Sequence, residues 1–204
     1  MQDSIFIVLD GIDGSGTSTH SKLLTGFLSL KGLKVYLTQE PSNSDIGKIL
    51  RTYLKDDKIP ASTDALLFAA DRVLHFKNDI KKKLEKGYIV ISDRYIESSI
   101  AYQTSQSENI SIEWVRNLNK FAGTPDLTII LDIDPKLSLA RKHHKVLDKF
   151  EDTSLLEKVR QVYLNRAKIE GYFVISTDDI IEMVQAKIQE VVIEKLNQKG
   201  IQIK

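Results

Sequence analysis

Apolar residues fall along the chain in short, nearly unbroken blocks separated by longer amphipathic stretches. Five blocks, Ile5–Asp10, Lys34–Thr38, Tyr88–Ser92, Leu127–Ile133 and Tyr172–Ile175, are apolar on both alternations. That pattern predicts strands buried on both faces, as in a parallel sheet. Between them the spacing predicts helices over roughly Thr17–Lys31, Asp45–Leu54, Thr63–Glu85, Ile96–Ser105, Ile112–Phe121, Pro135–His143, Ser154–Glu170 and Asp179–Gln198. Gly32 and Gly87 stand where helix C-caps belong, each just before a strand. Pro135 suits a first helical turn; Ser62 or Thr63 can cap the third helix, and Asp64 then complements its dipole. The alternation of strands and helices implies an α/β fold with three layers: a five-stranded parallel sheet flanked by helices, in one domain over 1–204. The rhythm breaks at Lys142–Asp152 (KHHKVLDKFED), a polar, basic run that reads as a surface loop or a closing lid over about 141–152.

The first strand runs directly into Gly11-Ile12-Asp13-Gly14-Ser15-Gly16-Thr17-Ser18-Thr19. The glycine spacing fits the phosphate-binding pattern G-x-x-x-x-G-K-[ST], with Thr17 in place of the lysine. Glycines let backbone N–H groups approach an anion, and the following helix N-terminus adds a favourable dipole. Ser18 stands at the hydroxyl position that would ligand Mg²⁺. A strand before and a helix after supply the context the motif needs, so the segment reads as a nucleotide triphosphate site rather than a plain glycine turn. The missing charge has to come from elsewhere, with Lys22 and the basic 142–149 segment as candidates, or else transfer is slow or absent. An aspartate for magnesium is available at the end of two apolar blocks, Asp93 and Asp132, and periodicity does not choose between them.

Composition narrows the classes further. Net charge is +1, so no global field favours nucleic acid or an anionic membrane, and any basic site is local. There are no cysteines, which excludes disulfides, thiolate metal sites and a cysteine nucleophile. No apolar run approaches the ~20 residues of a membrane helix. The N-terminus carries no basic, apolar leader pattern, and the expected location is cytoplasmic.

An ordered set of short motifs resembles the thymidylate kinases, P-loop kinases that phosphorylate dTMP with ATP. It comprises Gly11-Ile-Asp13-Gly-Ser-Gly, Glu40-Pro41, Leu67-Phe68-Ala-Ala-Asp-Arg72, Asp93-Arg94-Tyr95, Ala101-Tyr102-Gln103, Pro125-Asp126-Leu-Thr-Ile-Ile-Leu-Asp132 and Lys149-Phe150-Glu151. The motifs span nearly the whole chain in family order. The resemblance implies ATP and dTMP as substrates, Mg²⁺ as cofactor and a homodimer, packed through the third helix and Ile112–Phe121. It implies that the loop from Gly11 through Ile12, Asp13, Gly14, Ser15, Gly16, Thr17 and Ser18 to Thr19 holds ATP. Asp13 would also accept a hydrogen bond from the acceptor's 3′-hydroxyl. Phe68 would stack on thymine, and Arg72, one helical turn on, would reach the base edge. Arg94 would bridge the two phosphate groups, and Asp93 would serve magnesium through water. Ser99, Tyr102 and Gln103 would line the sugar pocket, Tyr102 excluding a 2′-hydroxyl by bulk.

Gly14 fits the branch of the family that carries its cations in the lid, which makes Arg141, Lys142, Lys145 and Lys149 candidates. Arg141 leads them, with Lys145 beside the triphosphate; His143 and His144 have no partners at metal-ligand spacing. Gln39 stands where the family usually has an arginine on the acceptor phosphate, and Arg51 can cover part of that role. Asp13, Arg94 and Arg141 are therefore the expected catalytic set. Two rival expectations remain: a nucleoside monophosphate kinase of broader specificity, and a nucleotide-binding protein with weak or no transfer.

Overall fold

The structure is a computed structural model in which residues 4–56, 58–141 and 152–202 are described. The chain runs β1 (Ile5–Gly11), α1 (Thr17–Leu30), β2 (Val35–Gln39), α2 (Asp45–Tyr53), α3 (Ala61–His75), a π-helical turn (Phe76–Ile80), α4 (Lys81–Leu84) and β3 (Ile89–Asp93). It continues with α5 (Ile96–Gln106), α6 (Ile112–Leu118), β4 (Leu127–Asp132), α7 (Pro135–Ala140), α8 (Thr153–Glu170), β5 (Phe173–Ser176) and α9 (Ile181–Gln198). All four strand pairings are parallel, and the sheet order is β2-β3-β1-β4-β5. The five predicted strands are all present.

Alternation along β1 divides the core. Ile5, Ile7 and Leu9 pack with Leu24 and Leu28 of α1 and with Val184, Ile188, Val192 and Leu196 of α9. Phe6 and Val8 face the other way, toward Ile80 and Tyr95. On that second face α8 packs Leu156, Val159 and Tyr163 against Ile130 and Tyr102. The three inner strands, β1, β3 and β4, are therefore buried on both faces and read as apolar blocks. The edge strands depart from that expectation: β2 is half-buried, and β5 leaves Phe173, Val174 and Ser176 exposed.

β1 is central, and the chain leaves it toward β2 on one side but adds β4 on the other. In such sheets ligands bind beyond the carboxyl ends of the strands at this reversal of order. The phosphate loop lies there, directly after β1.

α6 and α7 each end three residues earlier than expected, at Leu118 and Ala140, and α3 differs at both ends. α3 begins at Ala61 with Pro60 as its N-cap, so neither Ser62 nor Thr63 caps it; proline's fixed φ and lack of an N–H favour the entry instead. Its continuation to residue 84 is broken by the π-helical turn, which re-aims the face after Arg72 and His75. The lid segment, with Lys142, His143, His144, Lys145 and Lys149, lies outside the described residues. Among the described residues no helix is long and apolar enough to cross a membrane.

Candidate active site

The loop after β1 wraps the N-terminus of α1. Ser15 N–H donates to Ile12 O at 3.1 Å, and Gly16, with φ 93°, serves as N-cap of α1. The Ile12 side chain is buried in the core, so only its backbone belongs to the loop. α7 clamps the loop from outside, since Ser138 Oγ donates to Asp13 O. Gly14 has φ +80°, and a Cβ there would lie 2.7 Å from Ser138 O. A side chain at 14 is excluded by that contact and by the left-handed backbone.

Two clefts meet at this loop. The larger, about 810 Å³ and open to solvent, is lined by Gly14, Gly16, Thr17, Ser18, Thr19, His20, Arg141, Thr177, Asp179, Ile181 and Val184. The smaller, about 160 Å³, is lined by Glu40, Pro41, Leu54, Phe68, Arg72, Tyr95, Ser98, Ser99, Tyr102 and Gln103. Asp13 and Arg94 line both. The first has loop backbone and a helix N-terminus for an oligophosphate; the second has an aromatic ring, polar groups and an arginine, suited to a nucleotide base and sugar.

Arg94 is the hinge between them. It follows β3 with φ 72°, a left-handed backbone that non-glycine residues rarely adopt, and it is the only such non-glycine among the described residues. This conformation turns the chain so that the side chain crosses the loop. Its Nη1 donates to Gly11 O at 2.8 Å and Ser98 Oγ at 2.9 Å, and its Nη2 donates to Asp13 Oδ1. Burial works against the guanidinium charge, but Tyr102, Asp13, Tyr163 and Asp10 together more than offset it and raise its pKa. The Tyr102 hydroxyl accepts from Asp13 N–H at 2.9 Å, which fixes the ring under the loop.

Ser18 Oγ donates to Asp93 Oδ2, while Asp93 Oδ1 is buried without a hydrogen-bond partner among the described residues. A hydroxyl beside a half-satisfied carboxylate at the triphosphate position fits Mg²⁺, which takes one or two protein oxygens and fills its shell with water and phosphate. Asp132, the other candidate, is held by Arg160 at 2.7 and 2.8 Å and borders neither cleft. The geometry thus separates two aspartates that look alike in sequence.

On the acceptor side Arg72 is 1% exposed and already heavily engaged. Nε donates to Glu40 Oε2 at 2.7 Å, Nη1 to Asn119 Oδ1 at 2.6 Å, and Nη2 to Tyr95 O and Ser99 Oγ at 3.1 Å each. Glu40 also meets His75 Nδ1 at 3.1 Å. Asp71 accepts from Ser42 N–H, Ser42 Oγ and Ser44 Oγ, stitching the loop after β2 to α3. Phe68 is half-buried on the cleft wall, and the buried Oε1 of Gln103 has no partner among the described residues. Gln39 lies outside this cleft, in a side hollow with Ser18, Lys22, Thr38, His75 and Asp93. Arg51 donates to Ser42 O at 2.7 Å and to Pro41 O, bracing the loop rather than facing the cleft.

Thr17, on the donor side, is the first residue of α1 and 5% exposed, with no side-chain hydrogen bond among the described residues. Arg141 borders the same cleft, its Nη2 donating to Thr177 O at 2.7 Å. Sequence reasoning passes over His20, Thr177, Ser98, Tyr163 and Asp10. Asp10 carries one visible signal, a carboxylate closing an otherwise apolar strand.

A phosphate loop at the sheet's reversal point, a hydroxyl–carboxylate pair and a second, base-sized cleft define a P-loop nucleotide kinase. Comparison with known proteins narrows the class. The family profile described as thymidylate kinase matches residues 9–188. A probable thymidylate kinase of Pyrobaculum aerophilum is 46% identical over 189 residues, covering 92% of this chain and 95% of that protein. Others so described, from Pyrobaculum calidifontis and Caldivirga maquilingensis, are 46% and 41% identical, covering 84% and 88% of this chain and 86% and 89% of their own. The chain belongs to the thymidylate kinase family, and it is an enzyme of the phosphotransferase class.

Proposed function

We propose that the protein transfers the γ-phosphoryl group of ATP to dTMP, yielding ADP and dTDP. The observation that carries this reading is the position of Arg94 and Asp13 on both clefts. A phosphate oxygen of dTMP attacks the γ-phosphorus, and the bond from that phosphorus to the β,γ-bridging oxygen breaks, releasing ADP. The attacking oxygen is already ionised at neutral pH, since the second phosphate pKa is about 6. No general base is needed, and the protein's task is alignment and charge neutralisation.

Arg94 offers its guanidinium to both phosphate groups, and loop N–H groups hold the donor. Ser18 and Asp93 would hold Mg²⁺, which when bound neutralises charge on the β- and γ-phosphates. Phe68 stacks on the base, Arg72 faces its edge, Ser99 and Gln103 line the sugar pocket, and Tyr102 crowds the 2′ position. Arg141, and Lys145 in the lid segment, contribute donor-side charge. A homodimer would cover Leu66 and Leu74, exposed two turns apart on α3. The enzyme would act in the cytoplasm, in the supply of dTTP.

The test is ADP release with dTMP, dCMP, UMP and AMP supplied in turn. The proposal expects turnover with dTMP well above the others. Comparable rates with all four would favour the broader monophosphate kinase. Binding of ATP and dTMP without dTMP-dependent ADP would overturn transfer itself, the reading that Thr17 keeps alive.

A further inference from the structure

Asp10 is fully buried, borders neither cleft, and yet gathers more hydrogen bonds than any group in the site. It continues the β1 alternation of Phe6 and Val8, so its side chain points toward α5 and α8. Oδ1 accepts from Gly11 N–H at 3.1 Å, Ser98 Oγ at 2.5 Å and Tyr163 Oη at 2.7 Å. Oδ2 accepts from Tyr95 N–H and Ser98 N–H, both at 3.1 Å. All five groups donate to it, an arrangement that suits a carboxylate; three are backbone N–H groups that can only donate, so an amide N–H₂ in its place would have to turn the Ser98 or Tyr163 hydroxyl round as acceptor.

The partners converge on one neighbour. Gly11 and Ser98 are the residues whose oxygens receive Arg94 Nη1, at 2.8 and 2.9 Å, and that nitrogen lies 3.9 Å from Asp10 Oδ1. Tyr95 follows Arg94 directly, so the bond from its N–H pins the chain where Arg94 takes its left-handed φ of 72°. Ser98 spends its single proton on Asp10, which orients its lone pairs toward the arginine. Tyr163 delivers the remaining proton from α8. We propose that Asp10, acting through Ser98 and Tyr163, is a positioning residue that fixes the Arg94 guanidinium at the junction of the two clefts. The inference rests on the proposed function, which gives Arg94 its task.

A plain structural role is the competing account, since Asp10 also caps the N-terminus of α5 from 85 residues away in sequence. The two accounts separate in kinetics. Tyr163→Phe removes one hydroxyl and keeps the ring. Positioning predicts a fall in kcat of about five- to tenfold, roughly the loss of one hydrogen bond's worth of alignment. KM for dTMP and for ATP should stay within about twofold, the signature of an interaction realised in the transition state.

The same substitution in an Arg94→Lys background, where the planar fork is gone, should change kcat by less than about twofold. Ser98→Ala should reproduce the kcat loss and Ser98→Thr, which keeps a hydroxyl, should recover most of it. These two keep the test open if Asp10→Asn does not fold. Equal losses from Tyr163→Phe in both backgrounds, or a lowered Tm with kcat unchanged, would overturn the inference. An Arg94→Lys enzyme with the parent kcat would instead overturn the role given to Arg94, and this inference with it.

Discussion

Replacing Arg94 by glycine and by alanine separates two things the residue does at once. Both substitutions delete the guanidinium and leave Asp13 without the Arg94 partner. They differ at the backbone, where φ is 72°. Two unit charges about 4 Å apart interact by about 4 kcal/mol at an effective dielectric near 20. At about 1.4 kcal/mol per decade, that is roughly a thousandfold in kcat for either variant. The left-handed backbone costs a Cβ-bearing residue roughly 1–2 kcal/mol, while glycine returns roughly 0.5–1 kcal/mol of that through the greater freedom of its unfolded chain. Arg94→Gly should therefore be more stable than Arg94→Ala by about 0.5–1 kcal/mol, or roughly 1–4 °C in Tm for a chain of this size. The assays are ADP release at saturating ATP and dTMP, and calorimetry on both variants. Retention of more than about a tenth of the parent kcat by either variant would refute the bridging charge. A Tm for the alanine variant equal to or above that of the glycine variant would refute the strain.

Three further outcomes follow from the clefts. Thr17→Lys should raise kcat by about tenfold rather than the full thousandfold, because Arg94 and Arg141 already line that cleft; an unchanged or lower kcat at saturating ATP would mean the loop is built around the threonine. Arg141→Ala should raise KM for ATP more than it lowers kcat, since its guanidinium is tied to Thr177 O beside the donor cleft; a kcat loss as large as that of Arg94→Ala would contradict this. Tyr102→Ala should reduce the preference for dTMP over ribothymidine monophosphate by about tenfold or more, the scale on which buried packing discriminates, and an unaltered ratio of kcat/KM would remove Tyr102 from sugar selection.

The parts legible in sequence are those fixed by local pattern. Strands buried on both faces must be apolar throughout, so β1, β3 and β4 stood out as blocks, and the phosphate loop stood out because glycine spacing, strand and helix coincide within nineteen residues. The edge strands β2 and β5 were visible as short apolar runs although the fold leaves them half-buried or exposed. What stayed hidden depends on contacts between distant segments. Asp93 and Asp132 end similar blocks, and only Arg160 on α8 and Ser18 on α1 tell them apart. The π-helical turn was invisible because Val73, Phe76, Ile80 and Leu84 keep a helical spacing across it. Gln39 holds the position and Arg51 the charge expected for an acceptor phosphate, yet the end of β2 turns Gln39 into the side hollow and the loop after it captures Arg51.

The absence of a lysine at position 17 then bears on how the rest of the site is built. A loop lysine would serve the donor cleft alone, because residue 17 borders only that one. Arg94 borders both, so on the proposed reading one cation carries neutralisation that a second would otherwise share. A fixed charge lowers a barrier only when it already lies where charge develops, without reorganisation during the step. A long arginine side chain has several rotatable bonds to restrain, and freezing them costs roughly 2 kcal/mol of rotamer entropy. The structure holds it with Gly11 O, Ser98 Oγ and Asp13, and holds the backbone beneath it by the bonds that Tyr95 N–H and Ser98 N–H donate to Asp10. Among the described residues the donor side lacks comparable restraint: Arg141 is exposed, anchored at Thr177, and Lys22 opens on the side hollow. Rate should accordingly be far more sensitive to the precision of Arg94 than to Arg141 or Lys22, and on the inference above the dense buried network around Asp10 is where that precision is set.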